Sequence, residues 1–167
     1  MLFTRRRGAI MVIASVWLLS GLTGLARAAD EPANLLRGKV EDPDYAAGWK
    51  AIKAGQFVAA IPLLERATAR DPRNADAYNL LAYATRRNGD PAGAIPIYQK
   101  ALTIDPKHRG AHEYIGEAYL MLGNVAKAKE HLARLDTLCT FSCSEYRELK
   151  KAIETYEKTG KVSVTTW

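Results

Sequence analysis

Cys139 and Cys143 stand four residues apart in LCTFSC and are the only thiols in this 167-residue chain. Sulfur at that spacing supports three chemistries: a structural disulfide, a dithiol redox couple, or a two-thiolate site for a soft ion such as Cu(I). A thiol near a helix N-terminus has its thiolate stabilised, which favours the second and third. Against the redox couple, thioredoxin-type enzymes use C-x-x-C on a βαβ scaffold, and neither pattern is present. His108 and His112 are also four apart, but HEYIG lacks the second histidine of a zinc-protease motif. The spacing puts His112 in a core-facing slot and His108 at a helix start. No serine falls predictably near a histidine, there is no glycine-rich phosphate loop, and the acids sit where they cap or solubilise helices. The expectation is no catalytic residue, no cofactor and no metal site.

The cysteine chemistry depends on the compartment, which the first residues address. MLFTRRRGAIMVIASVWLLSGLTGLARAAD has a basic start (Arg5, Arg6, Arg7), an uncharged run from Gly8 to Ala26, and an A-x-A site closed by Ala28. That is the pattern of a cleaved export signal over residues 1–28. The alternative is a signal anchor retained in the inner membrane, since the uncharged run nears the roughly 20 residues that span a bilayer. A periplasmic location follows from cleavage, with no stable membrane anchor left behind. The signal also explains the charge. Of 24 Lys and Arg against 18 Asp and Glu, four arginines and no acid lie in residues 1–28, leaving 20 against 18. The basic excess is that of a targeting segment, and nucleic acid is not an expected partner. Residues 29–40 read as a polar linker, and residues 160–167 as a flexible tail.

Between these ends the chain repeats every 34 residues. Gly55, Gly89 and Gly123 keep that interval, as do Ala60, Ala94 and Ala128, the trio Gly48, Ala82 and Gly116, and the pair Pro72 and Pro106. Each unit predicts two amphipathic helices. Glycine stops the first because it tolerates the left-handed cap, and proline closes the second. Asp90 before Pro91 reads as an N-cap followed by proline at the first helical position. Gly48, Ala82 and Gly116 mark where paired helices approach closely, while Ala60, Leu64 and Ala67, with Ala94, Tyr98 and Ala101, face the core. Pro62 and Pro96 recur at one slot inside the second helices, early enough for a mild bend to absorb the lost hydrogen bond.

This period and these slots resemble the tetratricopeptide repeat family over residues 41–142, in units 41–74, 75–108 and 109–142. The resemblance implies an all-α fold, a right-handed superhelical α-solenoid of three helix pairs. Two slots depart from it: Asp44, Tyr78 and His112 stand where tryptophan is usual, and Thr140 where proline is. Residues 143–159 continue the register with Tyr146, Leu149, Ile153 and Tyr156 on one stripe. No second helix follows, so this is a capping helix closing the solenoid. Glu145, Arg147, Glu148, Lys151, Glu154, Glu157 and Lys158 are expected in water, and Ser142 to Glu145 has capping-box spacing. Cys139 and Cys143 flank the corner before that helix. In an oxidising compartment they are expected to close as a clasp.

Stacked first helices of such a solenoid line a concave groove. Its inward slots are Tyr45, Trp49 and Ile52, then Asn79, Tyr83 and Arg86, then Glu113, Glu117 and Leu120. Tyrosine and tryptophan suit the anchoring of a peptide. Repeat modules that grip C-terminal chaperone tails use a lysine, asparagine and arginine clamp, and the corresponding slots here hold Tyr45, Trp49, Leu80, Gly110 and Tyr114. The expected work is therefore binding a protein or peptide of another class, as an adaptor or assembly factor of the envelope. The alternative is a thiol-dependent redox or copper-handling factor built on Cys139 and Cys143. A third reading is self-association through unsealed repeat faces.

Overall fold

A computed structural model describes residues 42–140 and 142–162. The segments expected as export signal (1–28) and linker (29–40), and tail residues 163–167, lie outside the described residues. Among the described residues, regular structure is entirely helical: α1 Pro43–Lys53, α2 Phe57–Arg70, α3 Ala75–Arg87, α4 Pro91–Ile104, α5 Arg109–Met121, α6 Val125–Leu138 and α7 Ser144–Thr159. The repeat units map onto the pairs α1/α2, α3/α4 and α5/α6, with α7 as the cap. The chain is an all-α solenoid.

Local chemistry sets the boundaries. Gly55, Gly89 and Gly123 all have positive φ, from +71° to +96°, which an L side chain resists. Helix starts are capped in register: Asn74 accepts from the Ala77 amide at α3, and His108 Nδ1 accepts from the Ala111 amide at α5. Asp90 accepts from Gly93 at α4, and Asn124 from Lys127 at α6. Each cap satisfies amide groups that the helix leaves orphaned. Pro62 and Pro96 stay inside intact helices, and both rings face solvent, the side on which a helix bends open.

First helices touch one another in series, α1 with α3, α3 with α5, and α5 with α7, so that they form one continuous wall. The expected small-residue slots do allow close approach, but to different neighbours. A Cβ on Gly48 would lie 2.7 Å from Leu64 of its own pair, whereas one on Gly116 would lie 2.6 Å from Leu149 of α7. The cap is therefore seated by a glycine of the last repeat. It buries Leu149, Ala152 and Ile153 beside Leu120 and Leu135, with Tyr146 and Tyr156 packed at the margin and Lys150 in solvent.

One local expectation is corrected. The N-cap of α7 is Cys143, with no side-chain cap bond, not Ser142 in a capping box. Ser142 adopts φ +47° and its carbonyl accepts from the Arg147 guanidinium, which moves the helix start one residue on.

Candidate binding groove

The wall of first helices encloses an open cavity of about 480 Å³. α1 contributes Tyr45 and Trp49, α3 contributes Asp76, Asn79 and Leu80, and α5 contributes Gly110, Glu113 and Tyr114 behind His108. The first turns of α7 close one side with Ser144, Glu145 and Glu148.

Of the nine slots expected to line the groove, Tyr45, Trp49, Asn79 and Glu113 do so. Ile52, Tyr83, Arg86, Glu117 and Leu120 are core residues beneath it. The physical reason is cover from neighbouring repeats and from the capping helix. Tyr83 is 1% exposed, packed edge-on against Tyr114 of α5 at 5.1 Å and against Phe57 of α2 at 6.1 Å. Arg86 and Glu117 are both fully buried and form an ion pair, Nη1 to Oε2 2.8 Å, which ties α3 to α5. The guanidinium lies near the rings of Tyr83 and Tyr114, 5.3 and 5.6 Å from their centroids. All five slots compared with the chaperone-tail clamp line the cavity, and none carries a lysine or arginine. The acidic side chains of α7 were not among the expected lining residues. The continued register of the capping helix is the signal that could have placed them there.

Acid dominates the lining. Asp76 accepts from His108 Nε2 at 3.1 Å, since His108 Nδ1 is already the α5 cap acceptor. Glu145 lies 3.5 Å from Arg109 Nε. Glu113 is 4% exposed, and burial, reinforced by Glu117, Glu145 and Glu148, pushes its carboxyl up to about 8. Asn79 is 5% exposed, and its side-chain oxygen is buried without a hydrogen-bond partner. Buried polar atoms are normally paired, so Asn79 carries an unmet demand for a donor.

The remaining histidines are internal to the α5/α6 pair. His112 Nε2 lies 3.1 Å from the Pro106 carbonyl and so carries the hydrogen, leaving Nδ1 to accept from His131 Nδ1 at 3.0 Å. Burial, then the neighbouring His112, pulls His131 down to about 4. Among the described residues no three His, Cys, Asp or Glu side chains group closely enough to hold a metal ion. No helix among them is long and apolar enough to cross a membrane. Cys139 and Cys143 are paired at the α6–α7 corner, their Cα atoms 5.5 Å apart.

Comparison with known proteins fits this architecture. No curated protein matches the chain. Among solved structures, the first TPR of Spaghetti (RPAP3), bound to the HSP90 peptide SRMEEVD, superposes with a TM-score of 0.61 at 23% identity, covering 70% of this chain and 91% of that one. MamA from Desulfovibrio magneticus RS-1 gives 0.55 at 29% identity, covering 57% of this chain and 54% of that one. MamA MSR-1 gives 0.54 at 23%, covering 57% and 55%. The chain thus spans about half the length of the MamA structures it matches. Two family models, each described as tetratricopeptide repeat, match residues 45–109 and 86–157, together more than half of the sequence. With the 34-residue period and the helix pairs, they establish that the chain belongs to the tetratricopeptide repeat family.

Proposed function

We propose that this protein is an exported interaction module of the cell envelope, which holds a peptide segment of a partner in the groove between α1 and α7. The observation that carries the reading is the cavity itself: aromatic side chains on α1 and α5 line it together with buried Glu113 and with Asn79, whose side-chain oxygen has no hydrogen-bond partner. The RPAP3 repeat domain bound to a peptide supports the same use of a similar fold. Trp49→Ala combined with Tyr45→Ala is the direct test, because both side chains line the cavity and are only partly buried, at the margin of the core. Affinity for a peptide selected from an unbiased library should fall at least about tenfold, as for loss of interface anchors, while helicity stays unchanged. Unaltered affinity would remove the groove from the proposal. Export is tested separately, by sequencing the N-terminus of the protein recovered from the envelope. Ala29 is the expected first residue.

The cysteine pair serves in this reading as a clasp that fixes α7 against α6, and so fixes the Glu145 and Glu148 wall of the groove. A loop this short gives a chain-entropy contribution of only about 2 kcal/mol. Cys139→Ser with Cys143→Ser should lower stability by about that amount and weaken peptide binding through a looser α7 junction. Thermal melts with and without reductant measure the first effect. Freely alkylated thiols in the exported protein would contradict the clasp and favour the redox or copper reading.

A further inference from the structure

Resting on the groove reading above, we infer that the occupant is a cationic peptide segment whose Lys or Arg side chain sits against Glu113 and Glu148. Five ionisable side chains other than tyrosine line the cavity: Asp76, His108, Glu113, Glu145 and Glu148. Asp76 has His108, and Glu145 has Arg109 at 3.5 Å. Glu113 and Glu148 have no ion pair or hydrogen bond among the described residues. Arg86, the nearest buried cation, is already engaged by Glu117 below the floor. Asn79 adds a buried acceptor with no donor. The unmatched groups are therefore an amide oxygen and two carboxyl groups, one of which keeps its proton until a cation docks, and the complement is a ligand rich in N–H donors and positive charge.

The chemistry of the walls narrows the class. Tyr45, Trp49 and Tyr114 line the same cavity as these carboxylates. Aromatic faces beside acids receive guanidinium and ammonium groups, and accommodate the aliphatic stems that carry them. Burial around Glu113 raises its pKa in the absence of ligand, an energetic cost that a docked cation offsets. An acidic segment such as SRMEEVD has the wrong sign for this groove, although it occupies a similar fold in the RPAP3 domain.

The test uses the full chain and three sets of short fluorescent peptides with one length and one apolar background. One set carries Lys and Arg, one Asp and Glu, one Ser and Gln. The cationic set should bind about tenfold or more tighter than the others, and salt should weaken it. Glu113→Gln with Glu148→Gln should remove that preference, bringing the cationic set down to the affinity of the uncharged set. Circular dichroism and thermal melts confirm that this variant is folded. Equal or tighter binding of the acidic set overturns the charge assignment, as does a cationic preference that survives both glutamines. Spermidine binding as tightly as the cationic peptides overturns the peptide assignment. Absence of binding by every set, or binding indifferent to Trp49→Ala, overturns the groove reading itself.

Discussion

Glu113→Gln is expected to make the protein more stable above pH 8 and nearly indifferent in stability at pH 5. Burial raises the folded-state value of this acid to about 8, from an ordinary 4.5. Between those limits the folded state keeps a proton that the unfolded chain releases. Stability attributable to the group is therefore whole below 4.5 and falls as pH climbs, with the loss complete above 8. Glutamine has nothing to titrate. At roughly 1.4 kcal/mol per unit the shift sets a ceiling near 5 kcal/mol, and structural relaxation should leave a gain of about 2–3 kcal/mol at pH 9. The groups that bear on Glu113 are Glu117 on its own helix, Glu145 and Glu148 on α7, and Arg86 on α3. His131 titrates in the opposite sense: its value is lowered to about 4, so its contribution is whole above 6.5 and is lost as pH falls through 4. Urea midpoints at pH 7 and above thus isolate Glu113. An equal difference between parent and variant at pH 5 and pH 9 would show that the carboxyl is not desolvated as described. A residue that costs stability at the wall of a groove is a residue suited to binding, which gives the cationic-ligand inference its energetic basis.

The pair architecture was legible because a solenoid prints its geometry on the sequence once per unit. Gly55, Gly89 and Gly123 had to share a slot since each turn needs the same left-handed residue, and Pro62 and Pro96 had to share one since each ring points to the same solvent side. The groove was legible only in part. Trp49 and Tyr83 occupy the same position of successive units, yet Trp49 lines the cavity and Tyr83 lies beneath it. A period defines which way a side chain leaves its helix, and says nothing of what the following unit lays over it. Tyr114 covers Tyr83, and its own place on the lining came from its ring standing between the core and the open cavity. The same reasoning explains Glu145 and Glu148. On an isolated amphipathic helix they belong to the solvated face, but the seating of Leu149 on Gly116 turns that face toward the groove. α7 starts one residue later than the S-x-x-E spacing predicts, because a left-handed Ser142 is a property of the closed corner and not of that spacing.

Arg86→Leu is expected to be the most damaging single substitution in the described core. The change keeps the apolar bulk that packs near Tyr83 and Tyr114, and removes the cation from beside the fully buried Glu117 carboxylate. Breaking one side of a buried ion pair costs about 3–5 kcal/mol, because the surviving charge is left in a poor dielectric. Set against the roughly 5–15 kcal/mol that a domain of this size possesses, that loss brings the solenoid close to unfolding. Glu117→Leu alone should be similarly harmful, since it strands the guanidinium instead. The double variant should recover most of the loss, because an apolar pair needs no solvation, and the coupling between the two sites should reach about 2 kcal/mol or more in a double-mutant cycle. Denaturant midpoints of the four proteins supply the measurement. Additive effects, or a single variant as stable as the parent, would mean that the pair contributes nothing beyond packing. The pair joins the second repeat to the third directly under the groove, so an apolar double variant separates two roles: if it folds well but binds the cationic peptides poorly, the buried charges fix the relative placement of Asn79 and Glu113 more than they stabilise the fold.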